Sequence, residues 1–105
     1  MIRHGIDISK EKIADFCRRN HIRKLAFFGS FLRDDFRPDS DIDVLVDFEP
    51  EHVPGFRLIE IEEELSALLG GRKIDMVTEK YLNRRLRDQV LTDKEAMYTE
   101  RRPAF

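Results

Sequence analysis

Two short elements of this chain have residue types and a spacing that suit phosphate chemistry: Gly29-Ser30 and Asp41-Ile42-Asp43, with ten residues between them. Upstream of the first, Lys24-Leu25-Ala26-Phe27-Phe28 is an apolar run that stops at Gly29, as expected where a strand turns sharply. The spacing predicts a short helix over Ser30–Phe36 with Ser30 at its N-cap. Downstream, Asp41 to Phe48 alternates, and period-2 geometry places Asp41 and Asp43 on one face with Ile42, Val44 and Val46 on the other. Side chains two apart on a strand face are roughly 6–7 Å apart at their Cα atoms, close enough to converge on a cation between them. Carboxylates without His or Cys suit a hard ion such as Mg²⁺, whose coordination is completed by water and substrate phosphates. The Gly-Ser turn is the candidate to hold those phosphates, through close backbone approach at Gly29, the Ser30 hydroxyl and the N–H groups of the turn.

Joined at this spacing, the stretch GSFLRDDFRPDSDID from Gly29 to Asp43 resembles the signature of the nucleotidyltransferase superfamily that includes DNA polymerase beta. The short chain resembles in particular the minimal nucleotidyltransferases, of the kind found as MntA-type antitoxins of HEPN/MNT toxin–antitoxin systems. One departure is Asp34, where many relatives carry glycine or another small residue. The resemblance implies a third carboxylate on a later strand, for which the sequence offers Asp75 within Arg72–Val77. It further implies an α+β fold with a small mixed sheet flanked by helices, and a site in which Asp41, Asp43 and Asp75 hold two Mg²⁺ ions. Gly29 and Ser30 would bind the nucleotide, with ATP as substrate. The implied reaction is transfer of AMP to a tyrosine hydroxyl of a cognate HEPN-domain RNase toxin, in a type VII-like system and within a hetero-oligomer. The alternative reading is a non-catalytic antitoxin that neutralises its toxin by occlusion.

The elements that must position these residues are legible from periodicity. Ser9 caps a helix through about Asn20, with Ile13, Phe16 and Cys17 at helical spacing. A strand over Lys24–Phe28, the Gly-Ser turn and the Asp41–Phe48 strand come next. After a loop, residues 56–69 return to a helical pattern through Leu58, Ile61, Leu65 and Leu68, ended by Gly70-Gly71. Arg72–Val77 reads as a third strand; Thr78 is a candidate cap for a last helix bearing Tyr81, Leu82, Leu86 and Val90. Ala96-Met97-Tyr98 is a candidate edge strand or a segment that packs on the sheet. This order of alternating helices and strands argues for a small α/β sandwich.

Composition limits the other readings. The length of 105 residues fits one domain over residues 1–105, and 41% hydrophobic residues suffice for one core. Nineteen Lys and Arg against 21 Asp and Glu leave a net charge of −2, so no bulk positive field favours a nucleic-acid backbone. Cys17 is the sole cysteine and reads as a packing residue. The three histidines, His4, His21 and His52, share no ligand spacing. Glu60, Glu62, Glu63 and Glu64 read as the wet side of a helix. No apolar run is long enough to cross a bilayer, and the expected location is the cytoplasm.

Overall fold

The structure is a computed structural model that describes residues 2–78, 82 and 84–100; Tyr81, expected on the last helix, lies outside them, as does the side chain of Leu86. The chain opens with a feature that periodicity did not reveal, a two-stranded hairpin of β1 (Ile2–Arg3) and β2 (Ile6–Asp7). Its two-residue loop, His4-Gly5, has both residues at positive φ, 52° and 76°, the conformation whose twist matches an antiparallel pair.

Helix α1 (Lys10–Arg19) begins where its cap predicts, with the Lys12 N–H donating to the Ser9 hydroxyl at 3.3 Å. Asn20 ends it, its side-chain amide donating to the Phe16 carbonyl at 2.9 Å. Ile13, Phe16 and Cys17 form the buried stripe of α1, and burial pushes the Cys17 thiol up to about 12, so this cysteine packs rather than reacts.

Strands β3 (Ile22–Phe28) and β4 (Ile42–Phe48) pair antiparallel, and β5 (Ile74–Thr78) lies parallel to β4. Parallel neighbours need a crossover, supplied by helix α2 (Leu58–Leu68). After helix α3 (Arg84–Asp93), β6 (Glu95–Thr99) returns to the far edge beside β3, giving the sheet order β5-β4-β3-β6. The candidate edge strand at residues 96–98 is therefore borne out, with a register shift that leaves Met97 as an extra residue between Ala96 and Tyr98. Thr78 is the last residue of β5 and stands six positions before α3, so it is not that helix's cap.

The sheet has two unlike faces. Leu25 and Phe27 from β3, Ile42, Val44 and Val46 from β4, and Ile74 and Met76 from β5 form one side and pack with the apolar stripes of α1 and α2. The opposite side of β4 carries Asp43, Leu45 and Asp47. Phe16 and Phe27 are fully buried at the centre of the core. Among the described residues, no helix is long and apolar enough to cross a membrane. Replacing Phe16 with Ala removes a ring from this closed core and is expected to cost about 3–5 kcal/mol, read as a lowered urea midpoint; a loss below about 1 kcal/mol would contradict this packing.

Candidate functional site

At the end of β3 the chain leaves extended geometry at Phe28 (φ −150°) and turns at Gly29, whose φ of 70° lies in the left-handed region. Gly29–Leu32 then forms a single 3-10 turn, and not the expected helix over Ser30–Phe36. Arg33 donates to the Ser30 carbonyl at 2.9 Å and then resumes an extended backbone, which stops the helix from propagating. Phe31 is the physical reason, because its ring is wholly buried, meeting Phe27 edge-on at 4.8 Å and Phe36 at 5.2 Å. Ser30 therefore sits inside the turn and does not cap a helix, with Phe28 in the capping position. The turn is too short for an appreciable helix dipole, so any anion held here depends on individual N–H groups and the Ser30 hydroxyl.

Two anchors hold this turn and the loop after it. The His4 imidazole lies 2.9 Å from the Phe31 carbonyl through Nε2 and packs on Phe36 at 4.6 Å, so the N-terminal hairpin braces the turn. Arg72 donates to the carbonyls of Arg37 and Ser40 at 2.8 and 2.7 Å, with its guanidinium 4.6 Å from the Phe36 ring centroid. Ser40 closes the loop locally by accepting from the Arg37 N–H at 3.0 Å. Arg72 thus ties the entry of β5 to the segment that delivers Asp41, a role that spacing along the chain does not signal.

The register brings two of the three expected carboxylates side by side. Asp43 lies opposite Phe28 on β3 and beside Asp75 on β5, so Asp43 and Asp75 share a sheet face. Ile74 and Met76 are buried while Asp75 is exposed, as the alternation of β5 predicts. Asp41 precedes β4, two residues before Asp43, and its carboxylate is 3.9 Å from the Lys73 ammonium. A Cβ placed on Gly29 would lie 2.3 Å from Asp43 Oδ2, so any side chain there would force the Asp43 carboxylate to move. The turn backbone is therefore in direct contact with the Asp43 carboxylate.

Electrostatics mark Asp43 as the centre of the group. Burial pushes its carboxyl up to about 6 from the ordinary 3.8, repulsion from Asp75 and then Asp41 adds to this, and the Arg33 cation opposes it. Glu62 of α2 is also raised, by burial and by the charge of Asp75, while it accepts the Met76 N–H and so covers part of the open edge of β5. Glu64 bonds to Arg19 and Asn20. With Glu60 paired to Arg57 at 4.0 Å, three of the four acids read as a wet helix face have specific partners.

A cavity of about 570 Å³ opens beside this cluster, between Phe28, Gly29, Leu32, Arg33 and Asp43 on one side and Gln89, Val90 and Asp93 of α3 on the other. Gly29 and Asp43 line it; Ser30, Asp41 and Asp75 stand outside its lining. Gln89, Val90 and Asp93 join the site only because α3 crosses this face on its way to β6, and nothing in their local sequence announces it. Arg33 reaches the cavity while pairing with Asp35 at 3.1 Å. Oxygen donors alone, mutual repulsion centred on Asp43 and the space left by the missing Gly29 side chain together fit a hard divalent cation beside a phosphate.

Two outcomes test this geometry. Asp43 binds an extra proton in the folded state between about pH 4 and 6, so its charge lowers stability as pH rises through that window. With chelator present, Asp43→Asn should raise the melting temperature at pH 7.5, and the gain should vanish near pH 4; an equal shift at both pH values would contradict it. Gly29→Ala combines left-handed strain, about 1 kcal/mol, with the clash at Asp43, and should lower the melting temperature of wild type more than that of an Asp43→Ala background.

Comparison with known proteins agrees with this arrangement. The family described as nucleotidyltransferase domain matches residues 10–98. A protein adenylyltransferase MntA from Thermococcus cleftensis is 41% identical over 73 residues, covering 69% of this chain and 71% of the relative. A protein of Methanocaldococcus jannaschii, named provisionally as a protein adenylyltransferase, is 30% identical over 89 residues, 85% of this chain and 94% of its own. Two further relatives from that organism are matched over 61% and 62% of their lengths. Among solved structures, one provisionally described as a minimal nucleotidyltransferase superposes with a TM-score of 0.68 at 35% identity, over 82% of this chain and 86% of the other. A toxin–antitoxin crystal structure with AMP-PNP superposes at 0.63 and 21% identity, over 89% and 75%, a likeness of fold. With a four-stranded mixed sheet flanked by helices and Gly29-Ser30 set before Asp41-Ile42-Asp43, this chain belongs to the nucleotidyltransferase domain family, in its minimal, MntA-like branch.

Proposed function

We propose that this protein is an adenylyltransferase that moves AMP from ATP to a hydroxyl of a partner protein, a tyrosine of a cognate HEPN-domain toxin, and thereby acts as an antitoxin. The observation that carries the reading is the contact of the Gly29 turn with Asp43, beside Asp75 and at the mouth of a cavity. Relatives named for protein adenylylation, and structural neighbours crystallised as MntA–HepT toxin–antitoxin complexes, support the reaction class and the kind of partner.

In this reading Asp41, Asp43 and Asp75 hold Mg²⁺. Bound there, the metal supplies charge neutralisation at the α-phosphate and the departing pyrophosphate. Gly29 gives the triphosphate room to approach the turn backbone, and Ser30 donates its hydroxyl to a phosphate oxygen. Arg33, already at the cavity wall, offers a charge-assisted donor to the same phosphates. The acceptor oxygen attacks the α-phosphorus in line, forming the new P–O bond as the bond to pyrophosphate breaks. Asp75, exposed at the sheet edge, takes up the acceptor proton. A cation held between Asp43, Asp75 and Asp41 would offset their mutual repulsion and favour the ionised form of Asp43.

The test is incubation with labelled ATP, Mg²⁺ and the neighbouring-gene product as candidate toxin. Wild type should label the toxin, and Asp41→Asn combined with Asp43→Asn should reduce labelling by about 10²-fold or more. Labelling that survives the double replacement would remove the assigned roles. If the double variant binds the toxin as tightly as wild type and still rescues growth, occlusion rather than transfer is the antitoxic action.

A further inference from the structure

A second group of ligand-bearing side chains lies at the other end of β4. His21 occupies the turn between α1 and β3 at a φ of 57°, a left-handed conformation uncommon for a residue with a side chain. The backbone there is tied to the end of β4, because the Glu49 N–H donates to the His21 carbonyl at 2.9 Å. His52 closes a 3-10 turn, Pro50–His52, by donating its N–H to the Glu49 carbonyl, also at 2.9 Å. Three side chains far apart in sequence are thus presented by backbone segments bonded to one another.

The two imidazoles stack with centroids 3.7 Å apart and planes 8° from parallel. His21 Nδ1 is 3.6 Å and His52 Nε2 3.9 Å from the same Glu49 oxygen, and one ligand atom from each of the three residues lies within 4.8 Å of the others. These separations are too long for hydrogen bonds. They are close to the spacing of about 3.3 Å between ligands sharing a tetrahedral ion with bonds of 2.0–2.1 Å. Because the ring planes are stacked and nearly parallel, at least one imidazole must turn out of the stack to aim its nitrogen at a shared ion, a movement that their exposure allows. The side chains are 47%, 29% and 44% exposed for His21, Glu49 and His52, so an ion can enter from solvent and keep a water as its fourth ligand.

We propose that His21, Glu49 and His52 bind a borderline divalent transition ion, with Zn²⁺ as the type case. Two imidazole nitrogens and one carboxylate suit Zn²⁺, Co²⁺ or Ni²⁺ and disfavour Mg²⁺, which demands oxygen ligands in octahedral geometry. The site is separate from the aspartate cluster: Glu49 lies six residues beyond Asp43, roughly 20 Å along an extended strand. Its effect is structural. An ion here staples the α1–β3 turn to the segment between β4 and α2, where Pro50–His52 is a single 3-10 turn.

The experiment titrates Co²⁺, then Zn²⁺, into untagged, chelator-treated full-length protein, tracking visible absorption and thermal melting. One equivalent of Co²⁺ should produce tetrahedral d–d bands that Zn²⁺ abolishes, and Zn²⁺ should raise the melting temperature by a few degrees. His52→Ala should weaken binding by at least about tenfold, as should His21→Asn, which keeps a residue type that tolerates left-handed backbone. The Asp41→Asn, Asp43→Asn double variant should show the same tetrahedral Co²⁺ bands, at the same affinity, as wild type. Absence of the tetrahedral bands in wild type, bands of undiminished affinity in His52→Ala, or bands lost with the aspartates would each overturn the proposal.

Discussion

A missing side chain at residue 29 is the constraint on which the site rests. With Cβ excluded to 2.3 Å from Asp43 Oδ2, the backbone at the end of β3 and the carboxylate on β4 can touch, and the cavity beside them stays open. The surroundings maintain that contact. Phe31 pulls the turn into the core, His4 braces its carbonyl from the N-terminal hairpin, and Arg72 grips the loop that leads to Asp41. Gly29 therefore answers two demands at once, a left-handed φ and room for the Asp43 carboxylate, and glycine meets both without strain or displacement.

The sheet divides its labour between faces. One side of β4 contributes Ile42, Val44 and Val46 to a core shared with α1 and α2, and this burial stabilises the fold. The other side sets Asp43 beside Asp75, close enough for repulsion to add to burial in raising the Asp43 carboxyl to about 6. Like charges held together by a rigid sheet lower stability, and in the proposed reading a bound cation offsets that cost, the usual exchange between stability and function. The same strand ends, at Glu49, in a group of different chemistry, where stacked imidazoles offer nitrogen in place of oxygen. Two ends of one strand thus suit different classes of ion.

How much of this was legible in the sequence depended on whether the signal was local. Ser9 announces α1, and the alternation of residues 42–48 and 74–78 announces β4 and β5, because caps and period-2 patterns act over a few residues. Pairing of Asp43 with Asp75 agrees with the expected face for each. The helix expected after Gly29 failed because burial of Phe31 overrode the local preference, and Ser30 lost its capping role with it. Strands of two residues, Ile-Arg and Ile-Asp, gave β1 and β2 too little pattern to read. Arg72, Gln89 and Asp93 reach the site through tertiary crossings, and the His21–Glu49–His52 group through three separate turns. No spacing rule along the chain carries such information.

The most direct test of the central claim is a crystal structure grown with a non-hydrolysable ATP analogue and Mn²⁺, located by its anomalous scattering. Mn²⁺ accepts the carboxylate ligands expected of Mg²⁺. Anomalous density is expected between Asp41 and Asp43, with the triphosphate against Gly29 and Ser30. A nucleotide bound away from that turn, or metal density that leaves Asp43 untouched, would contradict the claim.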